Sequence, residues 1–392
     1  MSNPPLSLIL CTRNDQYLGN SRWRLQTALN YVAQRAHELS READVEVLVA
    51  DWGSEIPLRD VLELSPAAAG IVSFIQIPPE IARDLQKDSP FAEVFALNAA
   101  ARRSSGEYIG RIDQDTLLGK GFLEYFFALY EGRQRLEIPL DSALLFANQR
   151  MFPYRIVVRD PSLWTVEKFI GWFEKLMKIE ISSLDAFYKN GVGIWLAHRK
   201  LWNECGGYDE RLIYMNAMEV NMIERLMQKY TIVDLGRIVD YVFFHLEHYH
   251  PRVTRSSSTH RKINPEAIFA KTDILNPNGS SWGLDQYHFE KLPYPPKRNE
   301  VIKTDSSLAT FRWLSFAWLL VSAGAQMAVD KAVVSARLFG RSYRNVLNVW
   351  MHRAQIIRQT VRGQALIRWP GLLAGLWIEK QRKHEQERTI DL

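Results

Sequence analysis

Residues 106–118 have the sequence Gly-Glu-Tyr-Ile-Gly-Arg-Ile-Asp-Gln-Asp-Thr-Leu-Leu. The run that begins at Tyr108 is apolar and β-prone, and Asp113 and Asp115 lie at its end. Side chains alternate faces along a strand, so two carboxylates two residues apart point the same way. They repel each other unless a hard divalent cation such as Mg²⁺ or Mn²⁺ binds between them. The stretch therefore predicts a strand that ends in a metal–diphosphate site, with a solvated surface turn as the alternative.

The residues on either side of this stretch alternate between strand-like and helix-like segments. This alternation predicts an α/β fold with a mostly parallel central sheet and helices on both faces. Ligands of such sheets bind outside the carboxyl ends of the strands, so the polar residues that follow the strands are expected to share one site. The predicted strands are 6–11, 45–50, 71–77 and 108–112, and the predicted helices are 22–39 and 91–104.

Four motifs in this order give the sequence a family resemblance. Ser7-Leu-Ile-Leu-Cys-Thr-Arg-Asn and Val49-Ala-Asp-Trp-Gly-Ser are each a strand followed by a polar turn. A helix from Asn98 leads through Gly-Glu-Tyr-Ile into the Asp-x-Asp pair, and Gly206-Gly-Tyr-Asp-Glu is an acidic turn. Together, over about residues 5–250, they resemble the family 2 glycosyltransferases, which have the Rossmann-like GT-A fold.

The resemblance implies a hexosyltransferase-type enzyme of the kind found in bacterial surface-polysaccharide pathways. Such an enzyme transfers a sugar, with inversion, from a nucleotide-sugar donor to a glycan or lipid-linked acceptor. It implies a UDP-linked donor and an Mn²⁺ or Mg²⁺ ion on the Asp-x-Asp pair. By position it implies acceptor-side contacts at Gly207, Tyr208 and Asp209. The donor contacts it implies are Thr12, Arg13, Asn14, Asp51, Asn98, Arg111 and Asp113.

The sequence departs from the family pattern at three places. Trp52 replaces the second Asp of the turn after the second strand, and Leu97 stands where an Arg often precedes the Asn. The acidic pair that supplies the catalytic base is reduced to Glu219-Val220. Asp51 stands where the family contacts the nucleotide base, and the alternative is a turn-forming role before Gly53.

Glu219 aligns with the catalytic base of the resembled family. Inverting transfer needs a carboxylate that takes the proton of the acceptor hydroxyl. The alternative is a helix capping box, in which Asn216 is the N-cap and Glu219 reaches back to its N–H. A carboxylate at a helix N-terminus is also expected to have a low pKa.

Three histidines follow the apolar run near residue 243. Neutral imidazole binds metals of the Mn²⁺ class, and some members of the resembled family place a metal-binding histidine here. His245 is the first choice for this ligand and His248 the second, with His250 also nearby. The alternative for each is a histidine hydrogen-bonded within a loop. Arg111, on the strand face of the two aspartates, is expected to balance their charge when no metal is bound.

The chain is predicted to have three parts. Residues 1–250 form the GT-A domain, with a nucleotide-sugar half at about 1–118 and an acceptor half at about 119–250. Residues 251–307, rich in Ser, Pro, Asn and Lys, are predicted to be a loop or lid. Residues 308–392 are predicted to be a C-terminal helical, basic amphipathic extension.

Trp282, within the predicted loop, has two interpretations. It is either a lid residue that stacks on a sugar ring or an anchor that holds the loop to the core, and the anchor is preferred. A further helix is predicted at about residues 160–180.

The C-terminal extension contains an uncharged run at 313–329, which is at the short end of the length needed to span a bilayer. The following residues 331–369 have one face of Trp and aliphatic side chains and another of Arg. A basic amphipathic helix of this kind is typical of contact with an anionic membrane surface. The alternative is packing on the GT-A domain or on a second subunit of a homo-oligomer.

Charge and cysteine content limit the remaining function classes. From Lys331 onward there are 12 Lys/Arg against 4 Asp/Glu, whereas residues 1–330 hold 37 against 40, so no nucleic-acid partner is expected. The two cysteines, Cys11 and Cys205, lack metal-ligand spacing, which favours a reducing compartment. With no secretory signal recognised, we expect a cytoplasmic protein, peripheral on the inner membrane. The second function hypothesis is a non-catalytic sugar-binding or scaffold subunit of the same fold.

Overall fold

The structure is a computed structural model that describes residues 3–15, 17, 21–148, 150–152, 192–214, 218–235, 243–246 and 262–295. All of these residues belong to one compact unit. The predicted helix at 160–180, Asn216, His248, His250 and the extension 308–392 lie outside the described residues. No helix among the described residues is long and apolar enough to cross a membrane.

An eight-stranded, mostly parallel sheet with flanking helices forms the centre of this unit, as the sequence predicted. The sheet strands are β1 Leu6–Thr12, β2 Val45–Trp52, β3 Val72–Ile77, β4 Tyr108–Ile112, β6 Ala143–Asn148, β8 Val192–His198, β9 Thr231–Asp234 and β11 Leu292–Pro293. A second, three-stranded sheet contains β5 Thr116–Leu118, β7 Arg150–Phe152 and β10 Phe243–Leu246.

Nine helices lie among the described residues, and two of them correspond to helices predicted from the sequence. They are α1 Ser21–Glu38, α2 Leu58–Val61, α3 Pro66–Ile71, α4 Pro79–Gln86, α5 Glu93–Arg103, α6 Lys120–Tyr130, α7 Arg199–Cys205, α8 Met218–Met227 and α9 Glu266–Phe269. Short 3₁₀ turns lie at Glu42–Asp44 and Leu140–Ser142. The predicted helix at 22–39 corresponds to α1, and that at 91–104 corresponds to α5.

The order of the large sheet is β11-β3-β2-β1-β4-β8-β6-β9. Its strands β3, β2, β1 and β4 are parallel neighbours, and Thr12 pairs with Asp51, which pairs with Gln76. The register therefore brings the carboxyl ends of the first three strands to one edge, where β4 also ends just before Asp113. Alternate side chains of these strands, such as Leu8, Val47 and Phe74, enter one apolar core.

The described part of the predicted loop, residues 262–295, is packed on the sheet. Trp282 and Tyr294 are buried, and the Tyr294 hydroxyl donates to the Leu62 carbonyl at 2.7 Å. The Arg103 guanidinium donates to three backbone carbonyls of residues 283–287 at 2.7–2.8 Å. The strand β11 extends the sheet beside β3. The described part of the segment is mostly irregular, as expected of a loop, and Trp282 has the anchoring position, whereas a lid function stays a prediction.

Glu224 of α8 is a buried carboxyl group with an unusual environment. Only 4% of the residue is exposed, and its Oε1 accepts no hydrogen bond from any described residue. Burial alone raises the pKa of Glu224 from 4.5 to about 8. The folded protein therefore holds a proton on this group over a pH range in which the unfolded chain has released it.

We expect the free energy of unfolding of the wild type to fall as pH rises through this window. The fall ends once the folded group ionises near its own pKa of about 8. Glu224→Gln removes this titration, so its free energy of unfolding should not show this fall. Relative to the wild type, the variant should therefore become more stable by roughly 1–4 kcal/mol as the pH rises from one end of the window to the other. Urea unfolding at several pH values measures the difference. The exposed Glu290→Gln is the control, and a pH-independent difference for Glu224→Gln would contradict the expectation.

Candidate active site

Three predicted metal ligands come together at the edge of the sheet. Asp113 follows β4, Asp115 precedes β5, and His245 lies in β10, which pairs antiparallel with β5. The pairing places His245 opposite Thr116, and the Leu246 N–H donates to the Asp115 carbonyl at 2.9 Å. Long-range strand pairing therefore positions the imidazole beside the two carboxylates.

The geometry of this group suits a divalent cation. His245 Nδ1 lies 3.1 Å from an Asp115 carboxylate oxygen and 4.0 Å from one of Asp113. One ligand atom from each residue lies within 4.8 Å of the others. Two carboxylates and an imidazole are a common donor set for metals such as Mn²⁺. The three residues are therefore a group that fits a metal ion, and the second-choice ligand, His248, lies outside the described residues.

Asp115 also has a buried cationic partner that the sequence analysis did not identify. Arg24, in the first turn of α1, is 1% exposed, and its Nη1 donates to Asp115 Oδ2. Its Nη2 donates to the Tyr17 carbonyl at 2.6 Å. The sequence signal was an arginine at the start of the first helix, next to the predicted ligand edge. Arg24 thus partly neutralises the carboxylate that would bind a metal.

Arg111 connects the metal group to the candidate base. One guanidinium nitrogen, Nη2, lies 2.7 Å from Asp113, 2.9 Å from Glu93 and 3.2 Å from Glu219. The expected charge balance between Arg111 and Asp113 is therefore present, whereas Glu93 was not anticipated. Burial raises the pKa of Asp113 to about 6 even though Arg111 opposes the shift.

Glu219 lies in the first turn of α8, and its side chain is largely buried. Burial raises the pKa of Glu219 to about 7, although Arg111 acts in the opposite direction. The low pKa expected from the helix N-terminus is therefore wrong, because the loss of solvation outweighs the helix dipole. A carboxylate with a pKa near neutrality can accept a proton at physiological pH.

A cavity of about 500 Å³ opens beside the ends of β1 and β2. Two predicted donor contacts, Arg13 and Asn14, line it, and Arg13 is fixed by a 3.1 Å hydrogen bond to the Pro90 carbonyl. Thr12 is buried, and its hydroxyl donates to the Gln114 side chain. The lining residues are Arg13, Asn14, Asp15, Gly53, Ser54, Glu55, Ile56, Pro79, Ala82, Arg83 and Gln86.

Asp51 is held inside the turn that follows β2. It is 1% exposed, its Oδ1 accepts from the Ser54 hydroxyl, and its Oδ2 accepts from the Leu58 N–H at 2.7 Å. Burial raises the pKa of Asp51 to about 6 despite both hydrogen bonds. Gly53, with φ of +69°, completes the turn. The turn-forming interpretation describes these contacts, and the base contact stays a prediction.

The predicted acceptor-side turn is held by Asn98. Its Oδ1 accepts from the Tyr208 N–H at 2.8 Å, and its Nδ2 donates to the Tyr208 carbonyl at 2.9 Å. Gly207 has φ of +70°, and a Cβ there would lie 2.3 Å from Asn98 Oδ1. Asp209 is fully buried and pairs with Arg211 at 2.6 Å. These side chains position the turn, and their predicted substrate contacts stay predictions.

No family model and no curated protein matches the sequence. Among solved structures, S. aureus TarS is 16% identical over 63% of this chain and 37% of its own, with a TM-score of 0.38. TarS 1-349 in complex with UDP-GlcNAc is 15% identical over 69% of this chain and 64% of its own length, with a TM-score of 0.39. The catalytic domain of Drosophila β1,4-galactosyltransferase 7 is 12% identical over 68% of this chain and 80% of its own length, with a TM-score of 0.38. This chain therefore spans little more than a third of the length of TarS.

Proposed function

We propose that this chain is a metal-dependent, inverting glycosyltransferase. It would transfer a sugar from a UDP-linked donor to a glycan or lipid-linked acceptor. One observation carries the proposal: the Arg111 guanidinium joins Asp113 of a metal-type group to Glu219, a carboxyl group with a pKa of about 7. A metal site and a proton acceptor at the carboxyl edge of a parallel sheet are the two requirements for such a transfer.

The cavity supports the donor half of the proposal. Arg13 and Asn14 line it, as the family resemblance implies for donor contacts. Its volume of about 500 Å³ lies within the ordinary range for small-molecule sites. The side chain of Ile56, which is 59% exposed, also lines the cavity and offers an apolar surface to a planar base.

Asp113, Asp115 and His245 would hold Mn²⁺ or Mg²⁺, and the imidazole favours a metal of the Mn²⁺ class. Bound there, the ion would supply positive charge to the departing diphosphate. Arg24 and Arg111 would balance the charge of these carboxylates in the buried site when no ion is bound, because an unpaired buried charge is strongly unfavourable.

Glu219 would act on the acceptor. As the acceptor hydroxyl oxygen bonds to the anomeric carbon, its proton passes to the Glu219 carboxylate, and the bond from that carbon to the diphosphate breaks. Attack from the face opposite the leaving group inverts the configuration. Arg111, in contact with Glu219, would keep the carboxylate in place before the proton arrives.

The proposal is tested by release of UDP from a panel of UDP-sugars with candidate glycan and lipid-linked acceptors. We expect turnover with at least one pair that requires Mn²⁺ or Mg²⁺ and stops on chelation. Absence of metal-dependent turnover with every donor and acceptor would favour the non-catalytic, sugar-binding or scaffold alternative.

We also propose, from the sequence alone, that residues 308–392 contact an anionic membrane surface. This would make the protein peripheral on the cytoplasmic face of a membrane, close to a lipid-linked acceptor. The full chain should sediment with anionic liposomes, more strongly at low salt, and a chain ending at residue 307 should remain in the supernatant. Equal pelleting of the two forms would contradict membrane binding and favour packing on the domain or on a second subunit.

A further inference from the structure

Gln86 is the last residue of α4, and its side chain lines the cavity beside β1 and β2. The indole N–H of Trp52 donates to its Oε1 at 3.0 Å. An indole nitrogen is a donor only, so the carboxamide must turn its oxygen toward Trp52. The amino group of Gln86 then points elsewhere, and it donates no hydrogen bond to any described residue.

Trp52 is itself rigidly held. It is fully buried at the end of β2, and its ring stacks on Phe95 with centroids 6.3 Å apart and planes within 6°. A donor fixed in this way orients the Gln86 carboxamide before any ligand enters. A preorganised polar group binds a ligand more tightly than one that must first be ordered, because less conformational freedom is lost on binding.

The neighbouring acidic side chain does not offer a comparable contact. Both carboxylate oxygens of Asp51 already accept hydrogen bonds, from the Ser54 hydroxyl and from the Leu58 N–H. Asp51 is not among the residues that line the cavity, and the two carboxylates that do line it, Asp15 and Glu55, pair with Arg13 and Arg83. Gln86 therefore contributes a neutral donor to this side of the cavity.

We propose that Gln86, positioned by Trp52, selects the base of the nucleotide by donating its amino hydrogen to a carbonyl oxygen on the edge of the base. The inference rests on the proposed function, since it requires a nucleoside diphosphate in this cavity. Uracil has a carbonyl oxygen at the ring position where cytosine has an amino group. Two amino groups cannot hydrogen-bond to each other, so a fixed donor at Gln86 favours uracil over cytosine.

The test compares the dissociation constants of UDP and CDP for the full chain by calorimetry in the presence of Mn²⁺. The wild type should bind UDP about tenfold or more tightly than CDP, as expected when one partner of a hydrogen bond is mismatched. Gln86→Met should remove this preference. Gln86→Glu keeps an oxygen for Trp52 and replaces the donor with an acceptor. The ratio of UDP affinity to CDP affinity, called the UDP:CDP ratio below, should therefore shift toward CDP by about tenfold or more.

Trp52→Phe tests the positioning role. It preserves the stacked ring and removes the N–H, so the preference for UDP should fall without reversing. Gln134→Glu, on an exposed residue outside the cavity lining, controls for the added negative charge and should leave the ratio at its wild-type value.

The outcomes separate this inference from the proposed function. Tight UDP binding with an unchanged UDP:CDP ratio in both Gln86 variants would overturn the role of Gln86 and leave the proposed function intact. Equal affinity of the wild type for UDP and CDP would likewise overturn the role of Gln86 and leave the proposed function intact. If neither nucleotide binds the wild type, the proposed function and the inference both fail.

Discussion

Asp115→Asn is expected to remove metal-dependent transfer. The variant keeps the shape of the side chain but loses the charge that would bind the ion, and electrostatic stabilisation of a leaving diphosphate is worth several kcal/mol. A loss of about 3 kcal/mol or more corresponds to a fall in turnover of about 100-fold or more. Turnover at several Mn²⁺ concentrations, together with Mn²⁺ binding followed by electron paramagnetic resonance, measures both effects.

The buried ion pair between Arg24 and Asp115 complicates a simple interpretation of this variant. Removing the carboxylate leaves a buried guanidinium without its charged partner, which typically destabilises a protein by about 3–5 kcal/mol. Asp115→Asn combined with Arg24→Met removes both charges and should regain much of the stability. If the double variant is stable yet inactive and binds no Mn²⁺, loss of the metal explains the result and unfolding does not.

Arg24→Met alone gives the complementary result. Without its internal cation, Asp115 should bind Mn²⁺ more tightly than in the wild type, and Mn²⁺ should raise the melting temperature of this variant more than that of the wild type. Unchanged affinity of Arg24→Met for Mn²⁺ would mean that Arg24 and the metal do not compete for Asp115.

Turnover by Asp115→Asn equal to that of the wild type would refute the metal site itself.

Glu219→Gln is expected to lower turnover by about 100-fold to 10,000-fold, the usual contribution of a general base. The amide keeps the size of the side chain and can still contact Arg111, so donor binding should change little. Glu93→Gln is the matched control, because Glu93 contacts the same guanidinium nitrogen and has no proposed role in proton transfer. Equal losses in both variants would point to charge balance around Arg111 rather than to a base.

The pH dependence of the wild type adds a second measurement. A base acts only when deprotonated, so turnover at saturating metal and donor should rise with pH through the Glu219 pKa of about 7 and level off above it. Glu219→Gln should lose this rise. A wild-type profile that stays flat from pH 5.5 to about 8.5 would exclude Glu219 as the base.

The parallel strands and the Asp113–Asp115 pair could be predicted from the sequence because both depend on local patterns, whereas the family resemblance implied the role of His245. Alternation of apolar runs with helical segments defines the sheet, and carboxylates at a strand end share an edge with the residues after β1 and β2. The pairing of the strand that contains His245 with β5 came only from the structure.

The counter-charges could not be predicted in the same way. Arg24 and Glu93 belong to two different helices, and they reach the site only through packing that no short-range pattern describes. The pKa of Glu219 was misjudged for a related reason, since its position at a helix start is visible in the sequence but its burial is not. Residues 262–295 are mostly irregular, as expected of a segment rich in Ser, Pro, Asn and Lys, but composition could not predict that Arg103 and β11 fix them to the sheet.

The pairing of β5 with β10 has a consequence for how the protein is made. Asp115 and His245 lie more than a hundred residues apart, and their contact depends on strands from both halves of the chain. During synthesis the carboxylates leave the ribosome well before the imidazole, so a nascent chain carries a partial set of ligands until β10 has emerged and paired.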